Sequence, residues 1–300
     1  MSVQPIFINP EHQTNFDRDG YLKITLLESS DIEKLSVLFH QYYPNPSQDF
    51  YSSSYDNNYE LKKKISDAIG EILLPRLNSF FLNYSWFGSA FLSKGNGPRS
   101  EMPMHQDWTI VDETQYVAVN IWTPLQDTNE KNGTIEVIPG SHKWNNVLRA
   151  PTLPFYYNGF QSQLMTRLHA ISVSAGEAVI LNQAIIHYSK ANKTGQTRIA
   201  ITTGIKSSDA PMLFHYWDKK KPGEIEVFEQ EDDFLIKFEN FHQSIFLRPS
   251  IGRSIEIKKF QLPQLMHEEL VRLIPGTNPP EKKEKEKPGF AQKILQWIKG

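Results

Sequence analysis

From Tyr84 onward the sequence breaks into short apolar runs: "WFGSAFLS", "QYVAVNIWTPL", "GTIEVIPGS", "RLHAISVS", "EAVILN" and "TRIAITTGI". Each is rich in β-branched or aromatic residues, and Gly, Asn, Pro or Ser separates it from the next. No helical pattern alternates with them, so βαβ units are disfavoured and an antiparallel sandwich or barrel is expected. "EIEVF" and "SIEIK" continue the texture between Pro211 and Lys258, and "LPQLMHEELVRLI" then reads as a helix. No internal repeat is visible.

The part before Tyr84 reads differently. "FDRDGYLKI" predicts a turn at Asp19-Gly20 leading into a strand. In "SSDIEKLSVLFHQYY", Ser30 and Glu33 fit a capping box, and Ile32, Leu35, Phe39 and Tyr42 fall on one helical face. A polar loop from Pro44 to about Asn58 precedes a second helix, "YELKKKISDAIGEILL", with Ile65, Ile69 and Ile72 on one side and Pro75 ending or kinking it.

A formal net charge of −2 gives no field to attract nucleic acid or an anionic membrane. Without cysteine, thiolate nucleophiles, disulfides and zinc–thiolate sites are excluded, so any metal must be held by His, Asp, Glu or other oxygen donors. The opening lacks a basic stretch followed by an apolar one, and no apolar run approaches bilayer length. A soluble cytoplasmic protein acting on a small-molecule substrate, with no nucleic-acid partner, is expected. At the other end, "PGTNPPEKKEKEKPG" reads as a solvated linker. It leads to "FAQKILQWIKG", where Phe290, Ile294, Trp297 and Ile298 share a helical face that would dock on the body, on a partner or weakly on a membrane surface.

The stretch "MPMHQDWTIV" carries the candidate chemistry. On a strand, His105 and Asp107 would point to one face. A His-x-acid match alone means little among nine histidines, and His267-Glu268-Glu269 is a decoy, because i and i+2 diverge around a helix. Two further residues give the pair weight. His187 follows an apolar strand, and Arg198 lies inside the apolar run "TRIAITTGI", where a guanidinium is costly unless an anion or acceptors meet it. Two imidazoles and a carboxylate on one face of an octahedral ion leave three positions open, the arrangement of non-haem Fe(II) oxygenases. A 2-oxo acid can fill two of them and O₂ the third, and a guanidinium suits the far carboxylate of 2-oxoglutarate.

"HQDW", "IWTPLQDTNEKNGTIEVIPGSHKW" and "HYSKANKTGQTRIAIT" together resemble the phytanoyl-CoA dioxygenase family of Fe(II)/2-oxoglutarate oxygenases, and "FDRDGYLKI" is similar to its N-terminal opening. The likeness runs from about residue 15 to about residue 206, and "NGTIEVIPGSHKW" is its most specific part. It implies a mainly β fold, a double-stranded β-helix (a cupin-like jelly roll) flanked by α-helices. It implies Fe(II) on His105, Asp107 and His187, with 2-oxoglutarate held by Arg198, Ser189 and Trp122. O₂ would be consumed, ascorbate would serve as the assay reductant, and an unactivated C–H would be hydroxylated with release of succinate and CO₂. Asp107 stands where the family's halogenase relatives have Ala or Gly, which favours hydroxylation over halogenation.

The domain plan follows. Residues 1–274 form one oxygenase domain, with a helical part at about 28–82 and a jelly-roll core at about 84–260; 275–289 form the charged linker, and 290–300 the amphipathic helix. Lys94 and Arg99, in "SKGNGPRSE", are candidate substrate-facing cations on a lid, and Trp108 walls the substrate pocket if its strand ends at His105. Pro139, Gly140 and Ser141 read as a structural turn. Two other readings compete: a jelly-roll binding or regulatory protein without turnover, and a Zn or Mn cupin hydrolase or isomerase. The second would want a His-x-His pair, which is absent.

Overall fold

Strand alternation sorts the apolar runs onto two faces. In the computed structural model, which describes residues 3–238 and 244–275, the widest sheet has six antiparallel strands. Their order is β1 (Tyr21–Thr25), β8 (Glu177–Asn182), β5 (Ala118–Pro124), β10 (Arg198–Ser207), β3 (Tyr84–Lys94) and β2 (Phe50–Ser52). The strands β5, β8 and β10 are buried on both faces, which is why they read as near-continuous apolar runs. Val119, Ile121, Ile180, Ile199, Ile201 and Ile205 point to one face and pack under helices. Trp122, Val179, Leu181 and Ala200 point to the other. There they meet Val137 of a second antiparallel sheet, ordered β4 (Met102–His105), β9 (His187–Ser189), β6 (Glu136–Val137), β7 (His169–Ala170). Two facing antiparallel sheets flanked by helices make the double-stranded β-helix.

The helices cover the outer face of the wide sheet. α1 (Pro10–Asp19), which was not read from the sequence, nevertheless carries its signals: Asn9 caps it, Pro10 opens it, and Gly20 closes it at φ 78°. α2 (Ser29–Tyr42) buries Leu35 and Phe39. Its capping box lies at Glu28 and Asp31, two residues before the expected Ser30 and Glu33; the Glu28 N–H donates to Asp31 Oδ2 at 3.2 Å. α3 (Tyr59–Leu77) passes through Pro75 instead of stopping there. Proline falls in the last turn, where one lost hydrogen bond is outweighed by the anchoring of fully buried Leu77, in line with Ile65, Ile69 and Leu73. The expected polar loop from Pro44 holds β2 and a 3-10 turn at Ser53–Tyr55.

α4 (Gln161–Met165) follows the narrow sheet's first loops. Beyond residue 207 the chain builds a third sheet, β11 (Met212–Tyr216), β12 (Glu224–Gln230) and β13 (Arg253–Lys259), with α5 (Phe234–Lys237) and α6 (His267–Leu273). Phe214, Phe228, Phe234 and Phe238 join Phe87 and Ile110 in a separate aromatic core there. The linker and terminal helix expected at 275–289 and 290–300 lie, apart from Pro275, outside the described residues. Among the described residues no helix is long and apolar enough to cross a membrane.

Gly204 of β10 lies in register with Gly88 of β3, and the Phe87 ring lies over it. A Cβ on Gly204 would stand 2.0 Å from Phe87 Cε2, whereas one on Gly195 would meet nothing within 4 Å. Gly204→Ala should therefore cost about 1–3 kcal/mol in urea unfolding, and Gly195→Ala should stay within about 0.5 kcal/mol of wild type.

Candidate active site

Cross-strand register brings the two histidines together. His105 ends β4, His187 opens β9, and they are direct partners, with ring centroids 4.1 Å apart. Each Nδ1–H donates to a backbone carbonyl two residues back: His105 to Pro103 at 2.6 Å and His187 to Ile185 at 3.0 Å. In that tautomer each Nε2 carries the ring's lone pair and can serve as a metal ligand. Burial, and then the neighbouring His187, push the His105 imidazole down to about 3, so it stays neutral and able to coordinate at ordinary pH.

Asp107 completes the group by a route the sequence reading did not give. The strand ends at His105, so alternation along β4 is not what aims the carboxylate. Instead Arg149 Nε donates to the Asp107 carbonyl at 2.8 Å, and Arg149 and Thr109 exchange two bonds through N–H, carbonyl and hydroxyl. Asn120 Nδ2 donates to Asp107 Oδ2 at 3.3 Å, and Thr202 Oγ1 donates to Asn120 Oδ1. Asp107 Oδ1 then lies 3.8 Å from His105 Nε2 and 3.9 Å from His187 Nε2. The three ligand atoms fall within 4.8 Å of one another. Asn120, polar in the otherwise apolar "VAVNIWT", was the available signal for this support; Arg149 left none.

Arg198 opens β10 and is 2% exposed. Its Nε and Nη1 have no hydrogen-bond partner, and burial pushes the guanidinium down to about 9. Its Cζ sits 5.3 Å from the centre of the Trp122 ring. Lys94, expected on a lid, is instead the buried last residue of β3. Its Nζ donates to Ser189 Oγ at 2.6 Å, to the Ser189 carbonyl at 2.9 Å and to the Lys190 carbonyl at 2.8 Å. Ser189 Oγ donates in turn to the Gly133 carbonyl at 2.8 Å. Arg99 is on the surface with Nε 2.9 Å from Asp49 Oδ2, away from the cavity. Trp108, three residues past the end of the strand, does border it. The Pro139-Gly140-Ser141 turn is structural: Ser141 Oγ accepts from the Ile186 N–H at 2.9 Å, fastening the residue before His187.

A cavity of about 280 Å³ lies between the sheets. Arg198, Lys94 and Trp122 border it at one end of β10, and the three ligands border it further along. Phe87, Gly88, Gly204, Ile110 and Leu235 border its other end, roughly 20 Å away along β10 by strand rise.

The model of the phytanoyl-CoA dioxygenase family matches residues 6–200. Peroxisomal phytanoyl-CoA dioxygenase of Homo sapiens is 26% identical over 159 residues, 50% of this chain and 45% of that protein. The phytanoyl-CoA dioxygenase domain-containing protein 1 homolog of Dictyostelium discoideum is 24% identical over 140 residues, 44% of this chain and 50% of that one. The chain spans about half the length of the curated relatives it matches. Among solved structures, the epimerase SnoN in complex with Fe3+, alpha ketoglutarate and nogalamycin RO superposes with a TM-score of 0.50 at 14% identity, covering 67% of this chain and 84% of that one. At that identity the likeness is one of fold.

Two outcomes follow from this geometry. Co(II), followed by its visible absorption, should bind wild type at one site and Arg149→Met about tenfold more weakly, because the guanidinium fixes the Asp107 backbone. His215, whose Nδ1–H donates to the Thr109 carbonyl at 3.1 Å, is pushed by burial from 6.5 down to about 4. The unfolded chain therefore binds the extra proton first, and stability is lost as pH falls from 6.5 towards 4. Between pH 7 and pH 5, wild type should lose about 2 kcal/mol more of its unfolding free energy in urea than His215→Gln does.

Proposed function

The chain belongs to the phytanoyl-CoA dioxygenase family, and from that premise we propose that it is an Fe(II)- and 2-oxoglutarate-dependent oxygenase that hydroxylates an unactivated C–H of a small molecule. The observation that carries this reading is the buried Arg198 guanidinium, with two nitrogens unpartnered, in the cavity that also holds two imidazoles and a carboxylate. A buried cation without acceptors is costly, and an anionic ligand would remove the cost.

The donor set fits ferrous iron. His105 and His187 would offer Nε2 atoms and Asp107 a carboxylate oxygen, a mixed nitrogen and oxygen donor set that suits ferrous iron. When bound, iron chelated by 2-oxoglutarate supplies the oxidation, with one oxygen of O₂ entering succinate as CO₂ leaves and the other entering the substrate C–H as hydroxyl. The chain's own work is placement. The Nδ1 bonds to Pro103 and Ile185 hold each ring in one tautomer and one orientation. Arg149 and Asn120 keep the Asp107 carboxylate between them. Arg198, lying over the Trp122 ring, would face the far carboxylate of the cosubstrate. Phe87, Ile110, Trp108 and Leu235 line the rest with apolar surface, which keeps water off the reacting carbon and suits a substrate that is apolar there. Asp107 also takes the position a halide would need, so hydroxylation is the favoured outcome.

With Fe(II) and ascorbate, the purified protein should convert 2-oxoglutarate to succinate, and a metabolite pool should gain one oxygen by mass. Asp107→Ala should abolish both. Arg198→Ala should raise the 2-oxoglutarate requirement about tenfold to a hundredfold while changing iron affinity far less. No succinate, together with no visible charge-transfer band on adding 2-oxoglutarate to the ferrous protein without oxygen, would leave a ligand-binding jelly roll as the better account.

A further inference from the structure

Among the described residues, two side chains that border the cavity hold a fully buried polar atom with no hydrogen-bond partner: Arg198 and Gln183. In the oxygenase reading the cosubstrate's far carboxylate answers the first. The second lies elsewhere. On the register of β8, β5 and β10, Leu181 stands level with Asn120 and Gly204, and Gln183 follows two residues further from Arg198. It therefore belongs to the opposite end of the cavity, with Phe87, Ile110 and Leu235.

The polar groups around it are tied to the protein. Gln106 Nε2 donates to the Ala184 carbonyl, Asn120 Nδ2 to Asp107 Oδ2, and Thr202 Oγ1 to Asn120 Oδ1. Gln183 Oε1 is the exception, although the residue is only 5% exposed. Its backbone is nevertheless fixed. Asn182 accepts the Ala184 N–H on Oδ1 at 2.9 Å and the Ile185 N–H on its carbonyl at 3.0 Å. Gln106 stands between His105 and Asp107, so its bond to the Ala184 carbonyl fastens the same turn to the metal site. A rigidly mounted acceptor, buried without a donor, is costly unless a ligand brings the hydrogen.

Resting on the oxygenase reading, we propose that Gln183 is a specificity-determining residue for the oxidised molecule: its amide oxygen accepts from a hydroxyl, or another neutral donor, on a substrate whose remaining body is apolar. The amide carries no charge, so selection here works by a hydrogen bond and not by a countercharge. The apolar walls bury the body of the substrate, and Gln183 sets which way round it lies. A site built to meet a polar group discriminates against the analogue that lacks it, because its own group is then left unpaired.

The test uses benzyl alcohol and ethylbenzene, which share an outline and differ by a hydroxyl against a methyl group. Each is titrated into the protein loaded with Zn(II) and 2-oxoglutarate, a form without redox chemistry, and binding is read by saturation-transfer NMR. The ratio of the two affinities is compared between variants, so the unequal hydrophobicity of the probes cancels. Gln183→Met should shift that ratio about fivefold or more towards ethylbenzene. Its urea midpoint should stay level or rise, since Oε1 gives up no hydrogen bond within the protein. A merely structural glutamine would lower the midpoint and weaken both probes alike, and an unchanged ratio overturns the proposal. Wild type that binds neither probe overturns it as well. If Gln183→Met does not fold by circular dichroism, Gln183→Leu takes its place; failure of both to fold makes the residue structural and also overturns it. The oxygenase reading fails by a different sign, the absence of a charge-transfer band when 2-oxoglutarate meets the ferrous protein without oxygen.

Discussion

The pairing of β4 with β9 is what the site depends on. Its register places His105 opposite His187, and Met102 opposite Ser189. Three steps along β4 therefore match two along β9, so β4 carries an extra residue, a bulge. A bulge re-aims the side chains that follow it, and here it turns the last residue of the strand towards the cavity. A slip of one residue would send His105 to the opposite face. The register is protected on the far side as well. The Ile186 N–H donates to Ser141 Oγ, and the Ile138 N–H donates to the Ile186 carbonyl at 2.9 Å, so the "IPGS" turn locks β9 just before its histidine.

Charge is distributed along the cavity against the interest of stability. Arg198 and Lys94 lie at one end, where the inward face of β10 and β3 would otherwise continue the apolar pattern of Ala200 and Leu92. Replacing buried ionic groups by apolar ones of similar volume is often neutral or stabilising. The large core beneath the wide sheet, from Leu35 and Phe39 through Ile65, Ile69 and Leu73 to Ile201 and Ile205, offsets the penalty and holds the strand ends rigid. A binding end made this way is preorganised, because its cost is met on folding and not on ligand arrival.

Much of this was legible in the chain, for identifiable reasons. The strands β3, β5, β8 and β10 announced themselves because central strands buried on both faces are written as unbroken β-branched and aromatic runs. His105, Asp107, His187 and Arg198 stood out because each is polar where the surrounding pattern is apolar. Other features were hidden because they depend on contacts distant in sequence. Asp107 was expected to be aimed by strand alternation, yet it lies in coil and is aimed by Arg149, which comes 42 residues later. Lys94 read as a loop cation because Gly95 and Gly97 follow it, but β3 runs one residue further than the glycines suggest and carries the amine inside. The true cap of α2 was missed because Glu28 is not among the usual capping residues, whereas Ser30 is.

The two ends of the cavity draw on different parts of the chain. Every residue at the ionic end and every proposed iron ligand falls within residues 6–200, the stretch the family model matches. The opposite end is composite. Phe87, Gly88 and Trp108 come from within that stretch, but Leu235 and Ile236 come from α5, beyond it. Ile236 Cδ1 lies 3.2 Å from where a Cβ on Gly88 would stand, so the bare glycine backbone is what lets α5 settle over this end. Gly88 also has φ 126°, a conformation side chains rarely adopt, so the position resists substitution on both counts. The family model therefore covers the whole ionic end and only part of the opposite one. The end of the cavity formed by α5 against β3 thus draws on a part of the chain that the family model does not match.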